Sequence, residues 1–160
     1  MKKLILLVFV IALTGCTKST FRTGATCIDK FDITNTKVSN PIDIKQDVLI
    51  YIRDALHRSL VEELTQDSKL TYVPSCDVAT YRISGDIAKV NSKVQRKMLG
   101  ASRQKMEVSI KACLESRTDN AIIATTKAHD EDDDMNNLLN DLSGTVIKKL
   151  SREKVAPNQP

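Results

Sequence analysis

Two stretches of strict alternation constrain the fold of this chain more than any other feature of its sequence. Apolar residues or glycine stand at every second position of residues 81–88, and a similar pattern returns in residues 105–114. Successive side chains of a strand point to opposite faces, so each stretch predicts a strand with one apolar and one polar face. The two strands are predicted to form a long hairpin whose apolar side covers a common core.

Two other segments predict helices. Apolar residues recur at every fourth position of residues 43–65, which is typical of an amphipathic helix of about five turns. Asp43 stands where an N-cap belongs, and Gln46, three residues later, completes a capping box. A second apolar stripe in residues 135–150 predicts a final helix, which follows an acidic run.

Shorter segments predict three more strands, at residues 31–38, 69–73 and 121–126. The predicted order is therefore β-α-β-β-β-(β)-α. This order indicates an α+β two-layer sandwich, in which two helices pack on one face of a mostly antiparallel sheet of about four to five strands.

The start of the chain predicts export from the cytoplasm. Lys2 and Lys3 precede an apolar run in residues 4–13, and small residues follow it. The run is too short to span a membrane, and the combination is typical of a signal peptide.

Residues 13–16 read L-T-G-C and resemble the lipobox of bacterial lipoproteins. The resemblance implies that residues 1–15 are removed as a lipoprotein signal peptide and that Cys16 carries acyl chains such as palmitate. Thr17 and Lys18 lack the aspartate that favours inner-membrane retention in that family, which implies an outer-membrane lipoprotein facing the periplasm. The alternative is an ordinary secretory signal followed by a chance cysteine.

The sequence after the signal peptide predicts one domain between two irregular ends. The 145 residues that remain are enough for a single core. Residues 16–26 are predicted to be the lipidated N-terminus and a flexible tether, whose last ten residues reach at most about 35 Å. Residues 27–151 are predicted to form one periplasmic α/β domain, and residues 152–160 a disordered tail.

The element order and the phrase Y-R-I-S-G-D-I in residues 81–87 resemble a group of small envelope lipoproteins. The group includes the lipopolysaccharide-transport lipoprotein LptE, the auxiliary lipoproteins of lipid-trafficking ABC systems and the N-terminal domain of TolB. The resemblance covers roughly residues 28–150. It implies an accessory or adaptor role with an envelope protein partner, since such domains generally bind other envelope components.

Three cysteines besides Cys16 are available for disulfide bonds in an oxidising compartment. Cys76 precedes the predicted hairpin and Cys113 lies near the end of its return strand, so a bridge between these two is predicted. Cys27 is expected at the opposite end of the sheet. Two alternatives stay open: three unpaired cysteines, or a bridge that includes Cys27.

The predicted hairpin is strongly basic. Residues 82–111 hold eight Lys and Arg against two acidic residues, a net charge of +6. Lys93, Arg96, Lys97 and Arg103 cluster around an apolar tip, so the segment 89–105 is a candidate site for anionic lipid headgroups or lipopolysaccharide phosphates. The alternative is a solvated hairpin end whose basic residues protect strand edges.

The acidic run in residues 130–134 has two interpretations. Carboxylates beside the start of the last helix favour the positive end of its dipole, and hard oxygens also suit a calcium ion. The run lacks the alternating ligand spacing and the turn glycine of an EF-hand loop, which favours the first interpretation. His57 and His129 have no metal-spaced partners, and both are predicted to lie at the surface.

No sequence motif specifies a reaction. The chain has no G-x-S-x-G, H-E-x-x-H, C-x-x-C or Gly-rich phosphate loop, so neither an enzyme, a cofactor nor a metal site is predicted. Removal of residues 1–15 leaves 22 Lys and Arg against 20 Asp and Glu, a balance that argues against nucleic-acid binding.

Three functions remain as hypotheses. A lipid-anchored, non-catalytic adaptor of an envelope assembly or transport complex is favoured. A lipid-binding or lipopolysaccharide-binding accessory that acts through the basic hairpin is the alternative, and a small hydrolase with a triad assembled in space is the third.

Overall fold

A computed structural model describes residues 21–40, 44–67, 69–96 and 102–152 of the chain. In chain order the elements are β1 (Gly24–Ile28), β2 (Lys37–Ser39), α1 (Gln46–Gln66), β3 (Leu70–Tyr72), β4 (Tyr81–Arg96), β5 (Ser102–Ser116), β6 (Ile122–Asp132) and α2 (Met135–Leu150). Neither of these helices has the length and apolar character needed to cross a membrane. The predicted signal peptide, Cys16 and Asp43 lie outside the described residues.

The strands form one sheet in the order β3-β1-β4-β5-β6, and β2 pairs with a further part of β4. The three long strands β4, β5 and β6 are antiparallel, whereas β1 lies parallel between β3 and β4. Parallel neighbours need a crossover connection, and α1 lies within the one that joins β1 to β3. The predicted α+β class is confirmed, with a mixed sheet of six strands.

Both helices contribute to the single core on one face of the sheet. Leu56 and Leu60 of α1 and Leu138 and Leu142 of α2 belong to one buried cluster with Ile83 of β4. The apolar residues of the alternating hairpin strands form the sheet side of this cluster. Burial of each such side chain contributes on the order of 2 kcal/mol relative to exposure.

Gly85 lets the segment between β1 and β2 pack closely against the sheet. The ring of Phe31, which is buried, comes from the segment between β1 and β2 and packs against this position. A Cβ atom at Gly85 would lie 2.7 Å from Phe31 Cε1 and only 2.1 Å from the carbonyl oxygen of Lys111. The glycine in the alternating pattern is therefore required by close packing.

We expect Gly85→Ala to destabilise the fold by about 3 kcal/mol or more, because the main-chain oxygen of Lys111 cannot move aside. Gly144→Ala in α2 is the matched control, since its new Cβ would meet only the Glu63 carboxylate, at 3.6 Å or more. Alanine in a helix interior should instead stabilise by about 0.5–1 kcal/mol. Urea unfolding of both variants measures this, and a wild-type stability for Gly85→Ala would contradict the packing at this position.

The prediction of one strand over residues 31–38 is wrong. The chain pairs first as β1 and then as β2, and Asp32 bends the segment between them. Its carboxylate accepts hydrogen bonds from Thr34 N at 2.8 Å and Thr34 Oγ1 at 2.6 Å, a local turn that competes with strand pairing. The same hydrogen bonds lower the pKa of Asp32.

The ends of the domain extend further than predicted. Thr26 is fully buried in β1, and Phe21 pairs with Arg152 in an antiparallel bridge. Residues 21–26 therefore belong to the fold and not to the tether, and Arg152 belongs to the fold and not to the tail. The rest of the predicted tether, residues 16–20, lies outside the described residues.

Helix α1 begins later than its apolar repeat. Lys45 occupies the N-cap position without a side-chain hydrogen bond, and Gln46 is the first helical residue, so the predicted capping box is not formed. Ile44 is buried just before the helix, which explains why the repeat extends beyond it.

The predicted Cys76–Cys113 bridge is wrong. Cys27 and Cys76 are bonded, with their Cα atoms 5.2 Å apart, and Cys113 is a free, half-buried thiol. The reason is the parallel pairing of β1, which places Thr26 beside Tyr72 at the end of β3. Cys27 thus lies where the chain leaves β3 and passes through Cys76 towards β4.

Replacing both bonded cysteines with serine should lower the free energy of unfolding by about 4 kcal/mol, because the bridge closes a segment with a sequence separation of 49. Cys113→Ser is the control and should cost much less. Urea unfolding with and without a reductant tests the pairing. Reductant should destabilise the wild type and Cys113→Ser but leave the double variant unchanged, and a reductant-sensitive double variant would contradict the assignment.

Candidate functional site

The face of the sheet that is turned away from the helices, called the outer face here, carries a polar cluster on the β4–β5 hairpin. A bulge at Ala88 shifts the register between Ile87 and Lys89. Simple alternation from Ile87 would point Lys89 into the core. The bulge returns Val90 to the core instead and places Lys89 on the outer face, since an extra residue reverses the side-chain direction.

Glu107 is the centre of this cluster. Its side chain is 9% exposed and accepts hydrogen bonds from Lys93 Nζ at 2.7 Å, Lys89 Nζ at 2.9 Å and Asn91 Nδ2 at 3.0 Å. These donors, with Lys93 the strongest and then Lys89 and Asn91, lower the pKa of Glu107 to about 2. Glu107 in turn raises the pKa of Lys93. The Glu107 carboxylate therefore stays ionised and Lys93 stays protonated at neutral pH.

Strand β6 brings further carboxylates to the same side of the hairpin. Glu131 lies 3.5 Å from Lys93 Nζ and 3.5 Å from Lys105 Nζ, and Asp133 lies 2.8 Å from Arg103 Nη1. The sequence does not reveal these ion pairs, because the acidic run and the basic hairpin are separate segments. Only the β5–β6 pairing brings the two segments together. β6 runs to Asp132, beyond the end predicted for this strand.

The structure describes the side chains of two of the four predicted anion-binding residues. Lys93 and Arg103 are held in ion pairs with carboxylates of this chain. Arg96 ends β4, where the structure describes its backbone, and Lys97 lies outside the described residues. At the two of these four positions whose side chains are described, carboxylates of the same chain thus balance the positive charge.

The acidic run performs two structural tasks. Asp134 is the N-cap of α2 and accepts hydrogen bonds from Asn136 N at 2.8 Å and Asn137 N at 3.3 Å, which confirms the predicted role beside the helix start. Asp132 accepts from Asp134 N, and this backbone hydrogen bond lowers the pKa of Asp132. Among residues 21–40, 44–67, 69–96 and 102–152, no group of side chains is arranged to hold a metal ion.

Ser109, His129 and Glu107 lie together on the outer face without forming a catalytic triad. Ser109 Oγ lies 3.0 Å and Glu107 Oε1 4.0 Å from the same ring nitrogen, Nδ1 of His129. A triad needs the imidazole between its nucleophile and its carboxylate, one on each nitrogen. His129 is exposed, as predicted, whereas His57 is half-buried on α1 and its Nδ1 has no hydrogen-bond partner among the described residues.

The hairpin has a free end, which consists of residues 93–96 and 102–105. In the described part of the chain, β2 pairs as far as Asn91 and β6 as far as Met106, so no strand flanks the last four pairs of the hairpin. Val94 is 61% exposed there. The free end therefore projects as a two-stranded ribbon.

The free end and Phe21, the first described residue, lie at opposite ends of the domain. β1 runs parallel to β4, with Thr26 beside Tyr81 at the start of β4, and Phe21 precedes β1. From Tyr81 to Arg96, β4 extends over about 50 Å at the usual rise of a strand. The chain thus enters the domain at one end and presents the hairpin at the other.

The sequence matches no known protein family and no curated protein, but the fold matches solved structures. The PelC dodecamer from Paraburkholderia phytofirmans is similar with a TM-score of 0.54 at 11% identity, over 83% of this chain and 92% of that one. Protein XCC0632 from Xanthomonas campestris, of the DUF330 family, gives 0.56 at 10% identity over 82% and 86%. The hypothetical protein CT253 from Chlamydia trachomatis gives 0.53 at 8% identity over 81% and 96%. At these identities the matches establish a shared fold.

Glu107→Gln should lower the free energy of unfolding at pH 7 by about 1–2 kcal/mol, because it leaves Lys89 and Lys93 without their shared carboxylate. Both lysine side chains are partly exposed, so water screens their ion pairs with Glu107. The loss of stability is therefore smaller than for a deeply buried charge. Glu131→Gln is the control and should cost about 0.5 kcal/mol or less, since that side chain is 41% exposed.

The difference between wild type and Glu107→Gln should also depend on pH. A carboxylate with a lowered folded-state pKa stabilises the fold above its ordinary value, 4.5, and loses that contribution as the pH falls towards about 2. Urea unfolding at several pH values should therefore show the two proteins converging over this window. A difference that stays constant from pH 7 to pH 2 would contradict the ionised Glu107.

Proposed function

We propose that this chain is a lipid-anchored, non-catalytic accessory lipoprotein of a bacterial envelope assembly, held at the outer membrane and facing the periplasm. Its task is to hold the free end of the β4–β5 hairpin away from the membrane as a docking arm for a protein partner. The observation that carries this proposal is the placement of Phe21, which precedes β1, and the free end at opposite ends of the domain.

The anchor side of the proposal rests on the sequence. The basic start, the apolar run and the L-T-G-C lipobox support removal of residues 1–15 and acylation of Cys16. Because Phe21 already pairs with Arg152, at most residues 17–20 lie between the anchor and the domain. Five Cα steps reach at most about 18 Å, so the N-terminal end of the domain stays beside the membrane.

The docking side rests on the hairpin. The base of the hairpin is held near the anchor. The hairpin is longer than the reach of the tether, so its free end lies away from the membrane. Its free end offers Val94, an exposed apolar side chain, on a ribbon that the ion pairs of Lys93 and Arg103 stiffen. An exposed apolar residue in a rigid polar frame is typical of a protein contact.

The alternative function, binding of lipid or lipopolysaccharide through the basic hairpin, has less support from the geometry. Lys93 and Arg103 already have carboxylate partners, so an anionic ligand would have to displace them. The free end also lies far from the anchored end of the domain. A protein partner requires neither displacement nor bending towards the membrane.

The fold suits an assembly role. PelC, which shares this fold, is a dodecamer. We therefore include assembly of several copies of this chain among the forms that the accessory role can take.

The test is crosslinked capture of the full-length lipoprotein from the envelope of the bacterium that encodes it. Val94→Glu combined with Arg103→Glu should reduce the yield of a defined envelope protein by about tenfold or more, since a charge at a central apolar contact removes a binding hot spot. Val78→Glu combined with Arg58→Glu is the matched control, because both residues are exposed elsewhere and the substitutions are identical. Cys16→Ser should abolish acylation and lose the partner.

Each outcome bears on the proposal. Capture that depends on the hairpin residues and on Cys16 supports it and identifies the partner. Capture that is equal for the hairpin variant and its control overturns the docking arm, and recovery of lipid or lipopolysaccharide without protein supports the alternative function instead.

A further inference from the structure

A groove of about 610 Å³ runs along the free edge of β6, where that strand starts. Its walls include Ile122, Ile123 and the cationic side chains Arg22, Lys149 and Arg152, and none of the described residues that line it is acidic. Ile122 is 62% exposed at its rim. The groove thus combines positive charge with apolar surface, and it is called the basal groove here.

Two cations of the basal groove, Arg22 and Lys149, are bound to main-chain oxygens and not to carboxylates. Arg22 donates to the carbonyl oxygens of Leu150, at 3.0 Å, of Ile123, at 3.4 Å, and of Arg152. Lys149 Nζ donates to the carbonyl oxygen of Lys127 at 3.2 Å. Carbonyl oxygens orient these side chains without cancelling their charge.

No carboxylate of the described residues lies within ion-pair distance of these three cations. The C-terminus of α2 beside them supplies about half a negative charge, so the groove keeps a clear positive excess. The hairpin differs in this respect, because Lys93 and Arg103 there have carboxylate partners.

The basal groove lies at the anchored end of the domain. Arg22 lines it and is six residues from Cys16, so the groove stays within about 22 Å of the acylated residue. A neighbouring depression on the other side of Phe21 contains Glu63 and Asp67 beside its lysines, and its charge is mixed. The basal groove is therefore the surface at this end whose charge complements an acidic membrane.

Resting on the proposed lipid anchor, we infer that the basal groove is a membrane-contact site that binds acidic phospholipid headgroups of the leaflet that holds Cys16. Arg22, Lys149 and Arg152 contact the headgroup phosphates, and Ile122 enters the interface. An acyl anchor and a basic patch together hold a protein more firmly than one acyl chain. Contact through the groove also orients the domain, so that the free end of the hairpin points away from the membrane.

The test compares hydrogen exchange of the acylated full-length protein in vesicles of phosphatidylcholine alone with vesicles that also contain phosphatidylglycerol. Acidic vesicles should slow amide exchange at the start of β6 and the end of α2 by about fivefold or more, the factor that one basic residue near an acidic surface contributes. High salt should remove this protection, because it screens surface charge.

The variant is Lys149→Glu combined with Arg152→Glu, which should lose the protection while keeping the thermal unfolding midpoint of the wild type. Lys37→Glu combined with Arg58→Glu is the matched control, since it makes the same change of charge at exposed positions elsewhere and should keep the protection. Equal exchange in the two kinds of vesicle, or protection confined to the hairpin, overturns the inference.

Failure of the anchor is distinguishable from failure of the groove. Mass spectrometry shows whether Cys16 carries acyl chains, and their absence would overturn the anchor alone. Sedimentation of the unacylated full chain with the same vesicles at low salt then tests the groove. Preference for acidic vesicles, lost in the Lys149→Glu and Arg152→Glu variant, supports it, and equal sedimentation with both kinds overturns it.

Discussion

The antiparallel pairing of β4 with β5 is the constraint on which the rest of the structure depends. Fifteen residue pairs join the two strands, from Tyr81 with Ser116 to Arg96 with Ser102. Every other strand except β3 is added directly to this ladder, β1 and β2 on β4 and β6 on β5. Because one side of the ladder is apolar, both helices must cover it, and the fold has two layers for that reason.

The bulge at Ala88 divides this ladder into two parts with different tasks. Before the bulge, Ile83 and Ile87 fill the core between sheet and helices. Beyond it the side-chain phase reverses, and Lys89 meets Glu107 on the outer face instead of entering the core. One inserted residue thus keeps Val90 in the core and places Lys89 in the charge-balanced cluster on the outer face.

The two ends of the molecule differ in how their positive charge is compensated. At the hairpin, carboxylates of β5 and β6 pair with Lys93 and Arg103, whereas at the base Arg22 and Lys149 are bound to carbonyl oxygens only. Parallel pairing of β1 and the Cys27–Cys76 bridge fix β1, and with it Phe21 and Arg22, at the basic end. The proposed anchor at one end and the proposed docking arm at the other rest on this arrangement, and the two can be tested separately.

The sequence by itself determined the α+β class, both helices, the long hairpin and the acidic run beside the start of the last helix, because these depend on local patterns along the chain. The lipobox at Cys16 is likewise a local motif. Only the tertiary structure decided that Cys27 bonds Cys76 and that the acidic run neutralises Lys93 and Arg103. Parallel strand order and register join residues that are distant along the chain, and no local pattern in this sequence specifies those long-range pairings.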